Sequence, residues 1–163
     1  MGARAGSQLH DRYDRHVRRA RLFVEPAASQ FRLLSAMEEA LRLASLPGED
    51  EGRVYYFRRV QVTDLPTSGD RGAWLERFQR ALSAEAATAI HGGTARAALA
   101  AAVFFRGRQE ALEILLHRIV ARREVREWFW PMVAGGPRTL RGAALGPSAI
   151  PAIVEELRAT PAS

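Results

Sequence analysis

Neither cysteine nor lysine occurs among the 163 residues. Without cysteine there can be no disulfide, no zinc–cysteine centre and no thiol catalysis. Without lysine a phosphate-binding P-loop is excluded, because its lysine reaches the phosphates. Long apolar runs are also missing. The longest, Ala97–Phe105 (AALAAAVFF), has nine residues, against about 20 for a transmembrane helix. The start, MGARAGSQLHDRYDRHVRRA, lacks the apolar core of a signal peptide, and MGARAG lacks the Ser or Thr of a myristoylation signal. A cytoplasmic location is the expectation. G-x-S-x-G and H-E-x-x-H are absent too, which leaves serine-hydrolase and zinc-protease chemistry without their motifs.

What is present is ordinary in amount and unusual in kind. Apolar residues make up 47% and charged residues 26%, the balance of a chain that folds around a core without staples. All 24 basic residues are arginine, and the net charge is +6. That charge fits an anionic partner. It fits equally a GC-rich gene in which arginine is the default surface cation, and this is the simpler reading.

Residues 1–15 show no periodicity and read as a mobile arm. His16–Glu25 (HVRRARLFVE) alternates: Ala20, Leu22 and Val24 fall on one face, Arg19, Arg21 and Phe23 on the other. This is a half-buried strand, stopped by Pro26. Ser29–Ser45 reads as an amphipathic helix whose stripe is Phe31, Leu34, Met37 and Leu41, widened by Leu33, Ala40 and Ala44. Arg53–Asp64 (RVYYFRRVQVTD) is the clearest strand. Val54, Tyr56, Val60 and Val62 share a face; Tyr55, Phe57, Arg59, Gln61 and Thr63 share the other. Arg58 falls among the apolar positions, so it belongs at the sheet rim or beside a carboxylate.

Asp70 reads as the cap of a helix running to about Ile90, with Trp74, Phe78, Leu82 and Ala86 in its stripe. His91-Gly92-Gly93 reads as that helix's C-terminus. Ala97–Phe105 has no polar face, which suggests a central helix covered on all sides. Gln109–Arg122 carries Leu112, Leu115, Leu116 and Ile119 along one helix face; the segment through Trp130 continues or bends it, and Pro131 ends it. Residues 134–147 are rich in Gly and Pro and linker-like. Ser148–Thr160 is a short last helix with Pro151 in its first turn.

The fold class expected is α+β: a two-stranded or three-stranded sheet with a helical bundle around a buried central helix. The domain layout expected is an arm over 1–15, one domain over 16–133, and a linker with a short helix over 134–163. Two strands make a marginal sheet. A third strand is hidden in the chain, or a partner supplies an edge.

No catalytic, cofactor or metal residues are assigned. Glu113 and His117 stand four apart, the spacing of a ligand pair and equally of a surface pair on a helix. Arg19, Arg21 and Arg59 beside Phe23, Tyr55 and Phe57 make an arginine–aromatic strand face. Such a face stacks and neutralises single-stranded nucleic acid. It also packs under flanking helices. Trp128-Phe129-Trp130 is the largest aromatic cluster; a core plug and an exposed hot spot for a partner both fit it.

Three stretches carry a resemblance: HVRRARLFVE at 16–25, LPGEDEGRVYYFRRVQVTDLP at 46–66 and WLERFQRALSAEAATAI at 74–90. In that order they resemble the N-terminal part of the tape-measure-like proteins of contractile injection systems, the phage-tail-like machines of bacteria. The resemblance spans about residues 14–95. It implies a structural or assembly protein, not an enzyme, whose partners are tube, cap or other particle components. A length ruler must be long, and a fully helical chain of this size reaches only about 245 Å. A small assembly, cap-proximal or chaperone-like role follows, with oligomerisation open and no membrane role. Expected partner contacts are Trp128, Trp130, Arg19, Arg21, Arg59, Tyr55 and Phe57. The alternative is a nucleic-acid-binding module using the arginine–aromatic face.

Overall fold

The computed structural model describes residue 17 and residues 30–66, 70–134 and 146–159. The arm over 1–15, the strand expected over 16–25 apart from Val17, and most of the Gly/Pro-rich linker lie outside the described residues. The fold is α+β with a small three-stranded mixed sheet. The contacts of the described residues divide into two compact units, one within 1–44 and 62–80, the other within 45–61 and 81–163.

In the first unit, α1 (Gln30–Leu43) and the start of α2 (Arg71–Ala87) enclose a small core. Asp70 caps α2 as expected: its Oδ1 accepts the N–H groups of Gly72 at 3.0 Å and Ala73 at 3.4 Å, satisfying donors that have no partner inside the helix. The core is Leu33, Ala36 and Ala40 against Trp74 and Phe78, whose rings stack at 6.0 Å. The Trp74 indole N–H donates to Pro66 O at 3.0 Å. Leu33, Ala40 and Ala44 of the expected α1 stripe are buried, and Met37 and Leu41 pack against this core, but two of its members are corrected. Phe31 is 81% exposed and Leu34 44%, while the alanine side is buried. Small residues let the wide Trp74 and Phe78 rings approach, and close packing outweighs the size of the α1 side chains.

The second unit is built on β3 (Ala102–Phe105), the middle strand between β1 (Val54–Phe57) and β2 (Ile90–His91). Strand β1 pairs with it antiparallel, Tyr55 opposite Phe104, and β2 pairs with it in parallel, His91 opposite Phe104. The apolar run is therefore a 3-10 helix, Ala95–Leu99, followed by a strand, and no central helix exists there. A short apolar run bounded by turns fits a buried strand as well as a helix. Val103, Phe104 and Phe105 prefer the strand. Nor is the whole run covered, because Leu99 is 89% exposed.

Ile90 and His91 likewise belong to a strand and not to the end of a helix. The long strand expected over 53–64 shrinks to Val54–Phe57. Its ladder ends with Arg58 N–H donating to Ala101 O, just before β3 begins. Arg58 takes the rim position, exposed, with its guanidinium on Ala98 O at 3.2 Å.

One sheet face carries Val54, Tyr56, Val103, Phe105 and Ile90 into the core. Helix α3 (Arg108–Val120) covers it with Ala111, Leu112, Leu115 and Ile119, all buried. Arg122 then takes φ +52°, and Arg123 N–H returns to Arg118 O at 2.9 Å, closing α3. The helix therefore stops well before Pro131. Proline instead lies in the first turn of the four-residue α4 (Trp130–Val133), where its missing N–H costs nothing. Helix α5 (Ile150–Ala159) buries Ile153, and its Glu156 pairs with Arg108 at the start of α3.

The Tyr56 hydroxyl is buried without a hydrogen-bond partner. Burial pushes its phenol up to about 12, reinforced by Glu156 and opposed by the charge and the N–H groups of nearby Arg108, which stand close to the hydroxyl but short of hydrogen-bond geometry. A buried hydroxyl left unsatisfied costs about 1–3 kcal/mol. Tyr56→Phe is thus expected to raise the unfolding free energy by about 1 kcal/mol. Urea denaturation measures this, and a lowered midpoint at unchanged slope contradicts it.

Candidate partner-binding surface

The alternation of side chains along β1 and β3 sends a second set of residues to the sheet face away from that core. Tyr55 and Phe57, two apart on β1, lie parallel, with ring centroids at 5.9 Å and planes within 1°. Phe104 on β3 stands 6.1 Å from Tyr55, and His91 on β2 meets Phe104 edge-on at 5.4 Å. All four side chains are half-buried. The result is a continuous aromatic layer across three strands.

Its polar groups are tied down at the margin. Tyr55 Oη donates to Pro47 O at 2.8 Å, and Arg53 Nη1 donates to Tyr55 Oη at 3.4 Å. The Arg53 guanidinium also lies over the Phe104 ring at 5.1 Å, a cation–π contact. The Tyr55 hydrogen bond first, then the Tyr55 and Glu51 charges, hold the Arg53 guanidinium above its ordinary value against a small desolvation. The loop leading into β1 carries Glu49, Asp50 and Glu51. It turns through Gly48 and Gly52, whose φ values of +72° and +85° suit glycine.

The structure brings together only some of the residues expected to meet a partner. Tyr55 and Phe57 share the layer. Arg59 is exposed beyond the end of β1. Arg19 and Arg21 lie outside the described residues. Trp128 is half-buried: its indole N–H donates to Ala100 O at 3.1 Å, and Arg58 sits over its ring at 5.3 Å.

Trp130 is a correction. It has 0% exposure and packs on Phe129 at 4.6 Å and Phe105 at 5.8 Å, so it offers no surface to a partner. Its N–H donates to Glu127 Oε2 at 2.9 Å, and Glu127 pairs with Arg118, which covers the Trp130 ring at 5.2 Å. Burial pushes the Glu127 carboxyl up. Its own backbone N–H, Arg118 and the Trp130 indole together more than offset this and hold it below the usual carboxylate range.

Sequence reasoning missed Phe104, His91 and Arg53. Phe104 was legible in principle. Once 102–105 is a strand, two-residue alternation places Phe104 opposite in sense to Val103 and Phe105. His91 and Arg53 depend on strand register, which no local pattern gives. His91 is not a helix-end histidine: it faces Glu110 of α3, with Nε2 at 3.2 Å from Oε2.

Glu113 and His117 do not pair as ligands. Glu113 Oε1 accepts Gln109 Nε2 at 2.8 Å, and His117 is exposed. A shallow hollow of about 320 Å³ lies beside them, between Gly93 and the His117–Arg123 end of α3. Among the described residues no three His, Cys, Asp or Glu side chains gather in a metal-holding group. No described helix is long and apolar enough to cross a membrane.

Compared with protein-family models, curated proteins and solved structures, the chain matches none.

Proposed function

We propose that this chain is a non-catalytic structural or assembly protein of a phage-tail-like contractile injection system, acting in the cytoplasm through contacts with tube, cap or other particle proteins. The sequence support is the resemblance of residues 14–95 to tape-measure-like proteins. The structural support is the half-exposed aromatic layer of Tyr55, Phe57 and Phe104. Aromatic side chains supply large contact area at low entropic cost, and they dominate the anchors of protein interfaces.

The charges around the layer favour a protein over a nucleic acid. Arg53 is engaged with Tyr55 and Phe104, and the adjoining loop presents the carboxylates of Glu49, Asp50 and Glu51. A polyanion would meet that loop with repulsion.

The test is capture of purified tube or cap components by the tagged chain. Replacing Tyr55 and Phe57 together by Ser is expected to weaken capture about tenfold or more, as loss of an interface anchor does. Circular dichroism checks that the fold survives. Capture at full strength by a folded double variant refutes the assignment. Retardation of single-stranded nucleic acid at low salt, lost steeply as salt rises, moves the reading to the nucleic-acid alternative.

A further inference from the structure

His91 is the one histidine among the described residues whose two ring nitrogens both have assigned neighbours. Nδ1 lies 3.3 Å from Gly93 N, and Nε2 lies 3.2 Å from Glu110 Oε2. A backbone N–H can only donate, so Nδ1 must carry a lone pair. An ionised carboxylate can only accept, so Nε2 must carry the proton. One neutral tautomer satisfies both contacts.

We infer that His91 is a proton-operated latch on the Gly92–Gly93 turn: the neutral ring holds the Gly93 amide through Nδ1, and a second proton releases it. Protonation puts a donor at Nδ1 facing the Gly93 donor, so that hydrogen bond is lost. At Nε2 the same proton adds charge opposite Glu110, so that contact strengthens. The ring therefore stays anchored to α3 while it lets go of the turn.

The surroundings favour this division. The ring is held edge-on between Phe104 at 5.4 Å and Phe105 at 5.8 Å, which leaves its plane little freedom. Glu110 also accepts the Arg106 N–H at 2.7 Å, and the Arg106 guanidinium lies 3.9 Å from its other oxygen. Burial raises the Glu110 carboxyl, but the Arg106 N–H, His91 and the Arg106 charge outweigh it and hold the group low. It thus stays ionised in mild acid. Arg53 faces the layer from the other side of Phe104. The remaining bonds of the turn, Gly92 N–H to Phe104 O at 2.9 Å and Thr94 N–H to His91 O at 3.1 Å, do not involve the ring. Release is therefore confined to Gly93, which lines the hollow beside Ile114 and His117. Acid changes the wall of that hollow without unravelling the sheet.

Nitrogen NMR of the intact wild-type chain tests this directly, with hydrogen exchange of the backbone amides. While the ring is neutral, His91 is expected to show an unprotonated Nδ1 and a protonated Nε2. As the ring titrates, protection of the Gly93 amide should fall roughly threefold to tenfold relative to that of Gly92, the scale of one net hydrogen bond. The opposite tautomer, or a Gly93 amide that keeps its protection after His91 is charged, would each overturn the latch.

Discussion

Trp130→Ala is expected to cost about 3–5 kcal/mol of stability, the range for truncating a buried aromatic ring. The ring is fully buried among Phe105, Phe129 and the helices that cover β3. Three further losses travel with it. Glu127 forfeits the indole donor, Arg118 forfeits the ring beneath its guanidinium, and a pair of side chains only 16% exposed each is left in a larger void. Small domains hold only about 5–15 kcal/mol in all, so a sizeable share of the variant should be unfolded at physiological temperature. Chemical denaturation measures the change, and a loss below about 1 kcal/mol contradicts the placement. The consequence for function is direct: a binding defect in this variant reports a damaged core and not a missing contact. Trp128→Ala should be milder, since that ring is half-buried and gives up one indole bond to Ala100 O. The acid side also follows. Glu127 is held below its ordinary range, so its contribution is present above the unfolded carboxylate pKa and is lost as pH falls through the depressed value.

Gly92→Ala should be nearly as damaging, for a steric reason. A Cβ at position 92 would stand 2.1 Å from Phe105 Cζ and 2.7 Å from both Cε atoms. Phe105 is itself fully buried, and its ring is hemmed by Tyr56, His91, Phe129 and Trp130. It has nowhere to go. The backbone at Gly92 is also fixed, because its N–H donates to Phe104 O. Overpacking of this kind costs about 3 kcal/mol, at the upper end of the usual range. Gly93→Ala is the natural control. There a Cβ meets the His91 ring and the end of the Ile114 side chain at 3.2–3.3 Å, so the fit is restored by a shift of a few tenths of an ångström, taken up chiefly by the flexible Ile114 end. Thermal unfolding of the two variants should separate them clearly. Equal behaviour would mean that Phe105 does not back onto β2.

The sequence was most readable where one physical cause dominated. Asp70 announced α2 because a short carboxylate before a helix finds unpaired N–H groups. Trp74, Phe78, Leu82 and Ala86 recurred every four residues and are all buried. The short last helix was legible from Ile150, Ile153 and Leu157. Reading failed where two causes competed. In α1, Leu33, Ala40 and Ala44 are buried as the stripe predicts, but side-chain size also pointed to Phe31 and Leu34, where closeness of packing selected Ala36. In Ala97–Phe105, continuous apolarity fitted a buried helix and a buried strand alike, and the decision lay with a partner strand about 45 residues earlier. Pro131 reads as a stop in the sequence, although proline opens helices as readily as it follows them.

The same limit governs the surface. Tyr55 and Phe57 were placed together by two-residue alternation alone. Phe104 and His91 joined them only because β3 sits between β1 and β2 with Phe104 opposite both Tyr55 and His91. The Trp128–Trp130 cluster could not be divided from sequence. Both indoles are aromatic, apolar and two apart; which one is enclosed depends on α4, a single turn set by Pro131 and Glu127.

The whole account stands on β3 as the central strand, which sends Phe105 and Val103 inward and Phe104 outward. The most direct measurement is the close approach of α-protons across β1 and β3 by NMR. Tyr55 and Phe104 form a pair not bonded to each other, since the ladder bonds fall on the even positions of β1, as Arg58 to Ala101 shows. Such pairs have Cα atoms about 4.5 Å apart, so a strong cross-peak between the Tyr55 and Phe104 α-protons is predicted. Its absence, with sequential amide contacts running through 97–105, would mean a helix there and would contradict both the core and the aromatic layer.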